Sequence, residues 1–301
     1  SRATAGTGQT VTAGWRDYYE LTKPRVVALL VFTAVVGMVL AAPPAAVPWQ
    51  ALVFGSAGIG LASAAAAAIN QMVDRNADAR MARTSGRPIP QGVVGTAQAV
   101  VFATLLGLVG LAMLWWLVNP LTSVLTFLSL IGYAFIYTLF LKRATPQNIV
   151  IGGAAGAAPP VLGWAAVSNS IDPHALLLFL IIFAWTPPHF WALAIHRRNE
   201  YAAVDIPMLP VTHGVRFTQI QILLYTILLA GLSLLPYATG MSGLLYLLVT
   251  LVLNLRFLHY AWRLLRTEDP SLPMRTFGFS ITYLMLLFGA LLADHYLAWV
   301  L

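Results

Sequence analysis

The chain has no cysteine and few acidic residues. The absence of cysteine excludes disulfide bonds and metal sites built from thiolates. Aspartate and glutamate together number 10 among 301 residues, and charged residues of both signs make up 9% of the chain. Hydrophobic residues make up 59%, and the mean hydropathy is +0.79, which lies outside the range of soluble globular proteins. The composition therefore predicts an integral membrane protein.

Long apolar runs recur along the chain, and each has about the ~20 residues that an α-helix needs to cross a bilayer. They lie at about residues 25–43, 50–70, 97–118, 121–141, 148–167, 174–196, 217–236, 242–262 and 277–300. We therefore expect an all-α integral membrane protein, a bundle of about nine transmembrane helices without a large soluble domain. Residues 1–20 are expected to be a disordered N-terminal segment, and residues 21–301 a single transmembrane domain.

The basic residues predict the orientation of this bundle. All 17 Lys and Arg residues lie before the first run or around the loops that follow the second, fourth, sixth and eighth runs. The alternate short loops, near 44–49, 118–120, 168–173 and 236–242, contain none. Because basic loops remain on the cytoplasmic side, we expect the N-terminus and the long loops in the cytoplasm of a bacterium, at its inner membrane, or in the mitochondrial matrix. The net charge of +7 thus reports orientation and is not evidence for nucleic-acid binding.

The end of the second apolar run contains the most informative polar residues. Asn70, Asp74 and Asp78 follow one another at intervals of four residues. On a helix their side chains lie on one face, about 12 Å from first to last. Carboxylate and amide oxygens suit a hard cation such as Mg²⁺, which commonly binds together with a phosphate group. This segment therefore predicts one part of a magnesium–phosphate site.

A second polar loop, at about 196–216, is expected on the same side of the membrane. It contains the acidic residues Glu200 and Asp205. The candidate catalytic residues and Mg²⁺ ligands are Asn70, Asp74, Asp78 and Glu200, with Asp205 as an additional candidate. Basic side chains clamp diphosphates well, and the candidates for that role are Arg83, Arg87, Lys142, Arg143 and Arg197.

These residues also allow simpler interpretations. Acidic residues among arginines at a helix end are often only a solvated, ion-paired loop, and basic residues beside spans are chiefly topology signals. The small residues of segment 152–158 indicate close helix packing, although the same absence of side chains leaves room for a flat tetrapyrrole. The residues by themselves leave these alternatives open.

The ordered set of motifs resembles the intramembrane aromatic prenyltransferase superfamily and, within it, the protohaem IX farnesyltransferase (haem O synthase) family, over roughly residues 20–300. The motifs are Leu21-Thr22-Lys23-Pro24-Arg25, Asn70-x-x-x-Asp74-Arg75-x-x-Asp78, Met81-x-Arg83-Thr84-x-x-Arg87-Pro88, Tyr137 with Lys142-Arg143, Gly156-Ala157-Ala158-Pro159-Pro160, Pro188-His189-Phe190, Glu200-Tyr201 and Ile206-Pro207-Met208-Leu209-Pro210. Two departures are visible in the second loop. Glu200 stands where the family usually has Asp, and Glu200 and Asp205 are five residues apart, whereas many superfamily members have two acids four apart.

The resemblance implies a Mg²⁺-dependent enzyme with farnesyl diphosphate and haem B as substrates. In such an enzyme the diphosphate ionises, a haem vinyl group attacks the allylic cation, and water captures the resulting charge to give haem O. The lipid bilayer and contacts with a haem A synthase or a terminal oxidase are further implied partners. Candidate haem- or substrate-binding residues are His189, Tyr201, Lys23 and Arg25, and His196 and His213 are additional candidates.

Two other functions fit the same pattern. One is prenyl transfer to a quinone- or chlorophyll-type acceptor. The other is a membrane transporter or haem carrier that performs no chemistry, although transporters tend to place ionisable residues near the middle of the bilayer. Release of diphosphate distinguishes an enzyme from a carrier.

Overall fold

The computed structural model describes residues 13–81, 84–141 and 144–300, and within these ranges the chain is helical and has no β-strand. Residues 1–12 lie outside this part of the chain. Residues Trp15–Leu21, which we expected in a disordered segment, form a short helix. The side chain of Leu21, the last residue of this helix, is fully buried. Gln71, in the second membrane-spanning helix, donates hydrogen bonds to the carbonyls of Glu20 and Leu21 at 3.2 and 3.3 Å. Tertiary contacts therefore order a segment whose sequence is largely polar.

The described residues contain nine helices that are long and apolar enough to cross a membrane, which confirms the predicted fold class. We call them spans 1 to 9: Pro24–Ala41, Ala51–Asp78, Thr96–Leu117, Pro120–Phe140, Asn148–Ser168, Pro173–His196, Gly214–Ala238, Leu244–Arg266 and Leu272–Leu297. Span 2 begins with a π-helical turn, Ala51–Gly55, and span 4 changes from the α-helix Pro120–Ile131 to a π-helical segment, Gly132–Leu141. Span 7 comprises the helices Gly214–Leu232 and Leu235–Ala238, and the last helix continues to Val300. Two short helices, Arg198–Ala202 and Leu209–Thr212, lie between spans 6 and 7.

The loops divide the bundle into two ends. We call the end with the N-terminal helix and the loops after spans 2, 4, 6 and 8 the basic end, and the opposite one the short-loop end. Span 2 extends about eight residues beyond its apolar run, to Asp78, and the last helix begins at Leu272 instead of near residue 277. Hydropathy reports contact with lipid, whereas the polar end of span 2 is buried by protein, so its helix continues where the apolar run stops.

Prolines affect two spans differently. Span 5 is divided into Asn148–Ala157 and Pro159–Ser168, since Pro159 and Pro160 stand in the first turn of the second helix, where backbone N–H groups are not needed. Span 6 instead runs unbroken through Pro187 and Pro188, although proline inside a helix removes a backbone hydrogen bond and usually kinks or breaks it. Both prolines are buried. Trp185, two residues before Pro187, donates a 2.7 Å hydrogen bond to the carbonyl of Ser280 in span 9. Packing against neighbouring spans holds the helix together.

Spans 1 and 5 approach each other at backbone distance. A β-carbon added to Gly163 would collide with the backbone carbonyl of Ala34, and one added to Gly37 would collide with that of Pro160. Glycine at these two positions lets the helices touch, as is common in membrane bundles. The main apolar core then joins spans 1, 5, 6, 7, 8 and 9.

Buried polar groups fasten the last three spans. Asn254 of span 8 donates to the hydroxyl of Ser233 at 2.9 Å and accepts from the hydroxyl of Tyr283 at 2.8 Å. At the short-loop end, Asp294 accepts a 2.5 Å hydrogen bond from the backbone N–H of Gly243 and so caps the beginning of span 8. These contacts account for polar residues inside the bundle without assigning them to a site.

The glycine contact between spans 1 and 5 generates a stability prediction. Gly163→Ala should lower the unfolding free energy by about 1–3 kcal/mol, because the added methyl group overpacks a backbone contact. Gly156→Ala is the matched control in the same span, since a β-carbon there meets nothing within 4 Å. Thermal unfolding of both variants in detergent checks the difference, and equal midpoints would contradict this account of the interface.

Candidate active site at the basic end

The predicted oxygen-bearing face lies on the last turns of span 2. Asn70, Asp74 and Asp78 are only 4–5% exposed. Their spacing of four residues on one α-helix places them on a common face that points into protein. Buried carboxylates are costly unless they have charged or hydrogen-bonding partners. The partners of these residues therefore define the site.

Asn70 is held from two directions. Lys23, just before span 1, donates from its ammonium group to Asn70 Oδ1. The backbone of Lys23 has a left-handed conformation, with φ +48°, in the turn between the N-terminal helix and span 1. On the other side, Asn70 Nδ2 donates to Thr138 Oγ1 at 3.3 Å, and Thr138 donates to the carbonyl of Tyr133 at 2.7 Å. Asn70 thus joins spans 1, 2 and 4 at the site.

Asp78 binds the loop that follows span 2. Arg87 Nη1 lies 2.5 Å from Asp78 Oδ2, and the two side chains are 19% and 7% exposed. Thr84, which is fully buried, donates from its hydroxyl to the backbone carbonyl of Asp78 at 2.9 Å. The predicted residue Arg83 lies outside the described residues. The charge-assisted contact with Arg87 turns the polar loop back over the end of span 2.

Two tyrosines of span 4 lie near Asp74. Tyr133 and Tyr137 both lie close enough to Asp74 for electrostatic interaction, and Tyr133 lies similarly close to Arg87. Their rings stack on each other with centroids 5.6 Å apart. Tyr137 was noticed only as a motif residue, and Tyr133 and Thr138 were missed. The signal that could have found them is three hydroxyl side chains within the otherwise apolar segment 132–141.

The second polar loop meets the first one. Ala77 and Met81 from the end of span 2 share one apolar cluster with Val204, Ile206 and Met208 from the loop after span 6. Partly buried Tyr201 also packs against this cluster and lies near Tyr137. The structure therefore brings both polar loops to a common region at the basic end.

Glu200 is less enclosed than the acids of span 2. It lies on the short helix Arg198–Ala202, its side chain is 34% exposed, and Arg197 Nη1 donates to both carboxylate oxygens at 3.1 and 3.3 Å. Within the described part of the chain, no three His, Cys, Asp or Glu side chains lie close enough to hold one metal ion. Asn70, Asp74, Asp78 and Glu200 are therefore not preassembled as a complete protein cage.

Several other candidates lie outside this cluster. Asp205 is exposed and has a left-handed backbone, with φ +55°, which Asp tolerates in turns. Arg25, His196 and His213 are also exposed, and His213 contacts its neighbours Thr212 and Phe217. Lys142 and Arg143 lie outside the described residues, so their predicted contacts with diphosphate remain predictions.

His189 lies in span 6, is 8% exposed and packs against span 9. Its ring stacks between Trp185 and Phe277, with centroids 4.2 and 4.5 Å away. Ser280 Oγ is 2.6 Å from His189 Nδ1 and also donates to the carbonyl of Phe277 at 2.6 Å. Because a hydroxyl has one proton, His189 must donate from Nδ1 to Ser280. The neutral ring therefore presents Nε2 as its acceptor nitrogen.

Comparisons with known proteins agree with this architecture. The sequence profile of the UbiA prenyltransferase family matches residues 30–292. The protoheme IX farnesyltransferase of Hahella chejuensis is 62% identical over 288 residues, covering 96% of each chain. The protoheme IX farnesyltransferase of Methylococcus capsulatus is 60% identical over 283 residues, covering 94% of this chain and 95% of the relative.

Solved structures share the fold at low sequence identity. A structure of digeranylgeranylglyceryl phosphate synthase matches with a TM-score of 0.78 and 16% identity, covering 93% of this chain and 98% of the other. A UbiA homolog from Archaeoglobus fulgidus bound to GPP and Mg²⁺ matches with a TM-score of 0.62 and 18% identity, covering 91% and 99%. These similarities establish the arrangement of helices.

Two ion pairs among the described residues of the site generate a prediction about their strength. A double-mutant cycle with Asp78→Asn and Arg87→Gln should give a coupling of about 1.5–3 kcal/mol, because this charge-assisted contact is largely buried. The Glu200→Gln and Arg197→Gln cycle is the control and should give less than about 1 kcal/mol, since that pair is more exposed. Denaturant unfolding in mixed micelles measures both couplings. Equal values would contradict the proposed difference in environment.

Proposed function

The chain belongs to the UbiA prenyltransferase family, and we propose that it transfers the farnesyl group of farnesyl diphosphate to a vinyl group of haem B. The products are diphosphate and haem O, whose new side chain also gains a hydroxyl group from water. The names of relatives that are 60–62% identical over nearly the whole chain support this acceptor over a quinone- or chlorophyll-type one. They also support an enzyme over a transporter or haem carrier.

The observation that carries the proposal is the buried oxygen-bearing face of span 2. Asp74 and Asp78 are 5% exposed at the end of an apolar bundle, and Lys23 and Arg87 approach the same face. A buried, mixed-charge cluster at the end of an apolar bundle suits a substrate with an anionic head and an apolar tail. The cost of burying two carboxylates is offset when cations lie against them.

Mg²⁺ fits the chemistry of this face. All the predicted donors are oxygen atoms, and Mg²⁺ is commonly held by one or two carboxylates together with substrate phosphates, so a complete protein cage is not required. We propose that Asp74 and Asp78 hold the metal, with Asn70 and Glu200 as further ligands. When bound, Mg²⁺ would neutralise the charge that develops on the leaving diphosphate.

The residues around the metal would bind and orient the diphosphate. Arg87 lies at the mouth of the site and is partly exposed, so it can contact phosphate oxygens while remaining near Asp78. Arg197 is positioned by Glu200 on the second loop. Arg83, Lys142 and Arg143 are proposed to complete the clamp. Tyr133 and Tyr137 would place aromatic faces beside a developing allylic cation and keep water away from it.

The acceptor side of the site is proposed to involve His189 and Tyr201. The hydrogen bond to Ser280 fixes the ring of His189 and leaves Nε2 as an acceptor or ligand. Lys23 is proposed to act through Asn70. We propose that the basic end faces the cytoplasm of a bacterium, at the inner membrane, because basic loops remain on that side. Transfer of the product to a haem A synthase or a terminal oxidase is part of the same proposal.

Substitution of the span 2 acids tests the reaction. Asp74→Asn and Asp78→Asn should each lower the rate of haem O formation by at least about a hundredfold, because each removes a negative ligand with almost no change in shape. Purified protein in lipid nanodiscs, supplied with farnesyl diphosphate, haem B and Mg²⁺, is assayed by mass spectrometry of the haem product. Asp172→Asn at the short-loop end is the control, since Asn and Asp cap helices equally well there. Wild-type rates in both site variants would overturn the proposal.

Metal removal tests the cofactor separately. Chelation by EDTA should abolish diphosphate release from wild-type protein, and added Mg²⁺ should restore it, because the leaving group requires charge neutralisation. Unchanged diphosphate release after chelation would exclude a metal-dependent reaction. Folding is monitored in the same samples by size-exclusion chromatography.

A further inference from the structure

A polar pocket lies at the basic end where spans 6, 7, 8 and 9 meet. It has a volume of about 490 Å³, within the range of about 300–1,000 Å³ that is usual for ligand pockets. Among the described residues, its lining comes from the ends of these four spans and from the loop after span 8. It therefore differs from the candidate active site, whose acids lie on span 2. We propose that this pocket binds the phosphate group of an anionic phospholipid.

Two arginines line the pocket from different spans. Arg216 lies in the first turn of span 7 and donates from Nη1 to the backbone carbonyl of Leu265. Arg266 is the last residue of span 8, and its guanidinium lies 5.1 Å from the centroid of the Trp262 ring. Each guanidinium is thus held in position by a neighbouring group. Guanidinium groups suit a phosphate, since they present several N–H donors in one plane.

The charges around the pocket leave a positive surplus. Glu268 and Asp269 line it from the loop after span 8. Asp269 accepts hydrogen bonds from the backbone N–H and the hydroxyl of Ser271 at 2.9 and 2.7 Å, and Arg263 and Arg275 lie near it. Together with the two lining arginines, four positive charges stand against two carboxylates, a surplus of two. A phosphodiester, which has one negative charge, complements this surplus.

The pocket lies at the depth where lipid headgroups are found. Trp262, one turn before the end of span 8, is 50% exposed. Phe217, next to Arg216 at the beginning of span 7, is 40% exposed. Exposed aromatic side chains at span ends are typical of the boundary between the hydrocarbon and the headgroups of a bilayer. The lining arginines are therefore within reach of lipid phosphates.

Two lipid-facing helix faces lead from the pocket toward the middle of the bilayer. On span 7, Ile220 and Leu224 follow Arg216 at intervals of four residues and are 39% and 52% exposed. On span 8, Leu255 precedes Trp262 by seven residues and is 69% exposed. Residues with these spacings share one face of a helix. Each arginine thus stands at the end of an exposed apolar face, as a phosphate stands at the end of acyl chains.

Membrane topology alone does not require this arrangement. Basic residues beside spans set the orientation by their charge and their side of the membrane, wherever their side chains point. Arg216 and Arg266 come from separate spans and line one pocket. Arg256 of span 8, by contrast, lies over the ring of Tyr260 at 5.5 Å from its centroid and does not line the pocket.

The inner wall of the pocket belongs to the apolar cluster beneath the candidate site. Leu264 is buried in the cluster that joins Ala77 of span 2 with Ile206 of the second polar loop, and Ile195 packs against it. A bound headgroup would hold the ends of spans 6, 7 and 8 around this cluster. A ligand that binds the folded state stabilises it, so binding should raise the thermal midpoint of the protein.

Titration of the delipidated full chain with lipid, followed by native mass spectrometry, tests the proposal. Phosphatidylglycerol should bind at least about tenfold more tightly than phosphatidylcholine with the same acyl chains, and it alone should raise the thermal midpoint. Arg216→Gln and Arg266→Gln should each weaken phosphatidylglycerol binding about fivefold, because each removes one charge from the pocket. Binding needs neither a prenyl diphosphate nor haem, so this result does not depend on the proposed reaction.

Arg16→Gln is the matched control. Its guanidinium lies 5.5 Å from the centroid of the Trp15 ring, and that ring is 72% exposed. The substitution therefore removes the same charge and the same kind of aromatic contact at the basic end, but outside the pocket. Its affinity for phosphatidylglycerol should change less than about twofold, since charges beyond about 8 Å are screened at physiological salt.

A variant that gains affinity guards against loss through misfolding. Glu268→Gln should strengthen phosphatidylglycerol binding about fivefold, because it removes a negative charge from the wall. Wild-type affinity in both pocket arginine variants would overturn the inference. Tighter binding of phosphatidylethanolamine than of phosphatidylglycerol would assign the pocket to a zwitterionic headgroup, and displacement of the lipid by millimolar inorganic phosphate would assign it to a soluble anion. Either result would also overturn it.

Discussion

Burial of acidic side chains at the end of an apolar bundle constrains everything around the candidate site. A carboxylate without a partner would be far too costly there, and Asp78 meets Arg87 at 2.5 Å. That contact returns the loop after span 2 to the bundle, and the contact of Lys23 with Asn70 brings the turn before span 1 to the same face. Contacts of charged side chains thus hold the polar loops in place, whereas apolar packing within the bilayer holds the spans.

One irregular helical segment lies where the charged groups meet the apolar bundle. The π-helical segment of span 4 contains Tyr133, Tyr137 and Thr138, and Thr138 contacts Asn70 at the polar end of span 2. Such wide turns are frequent at functional sites because they redirect side chains within a helix. Span 5 is divided at Pro159, and its second half packs against span 1 at glycine contacts.

The candidate site lies at one end of an otherwise apolar bundle, an arrangement suited to an amphiphile. The carboxylates, amide and basic side chains gather at the basic end, and apolar spans form the rest of the bundle. Members of the UbiA family share this arrangement of helices at low sequence identity. The position of the chemical groups within that arrangement is therefore a more informative guide to the reaction than the fold itself.

The sequence by itself determined the membrane class, the nine spans and the motif Asn70-x-x-x-Asp74-x-x-x-Asp78, because hydrophobic length and helical spacing are local properties. It did not reveal that Trp15–Leu21 is helical, that span 6 continues through its prolines, or that Tyr133 and Thr138 border the site. Each of these depends on contacts between residues far apart in the chain. Only the tertiary structure decided that Glu200 pairs with Arg197 while Asp78 pairs with Arg87, since the choice of partner depends on burial and distance.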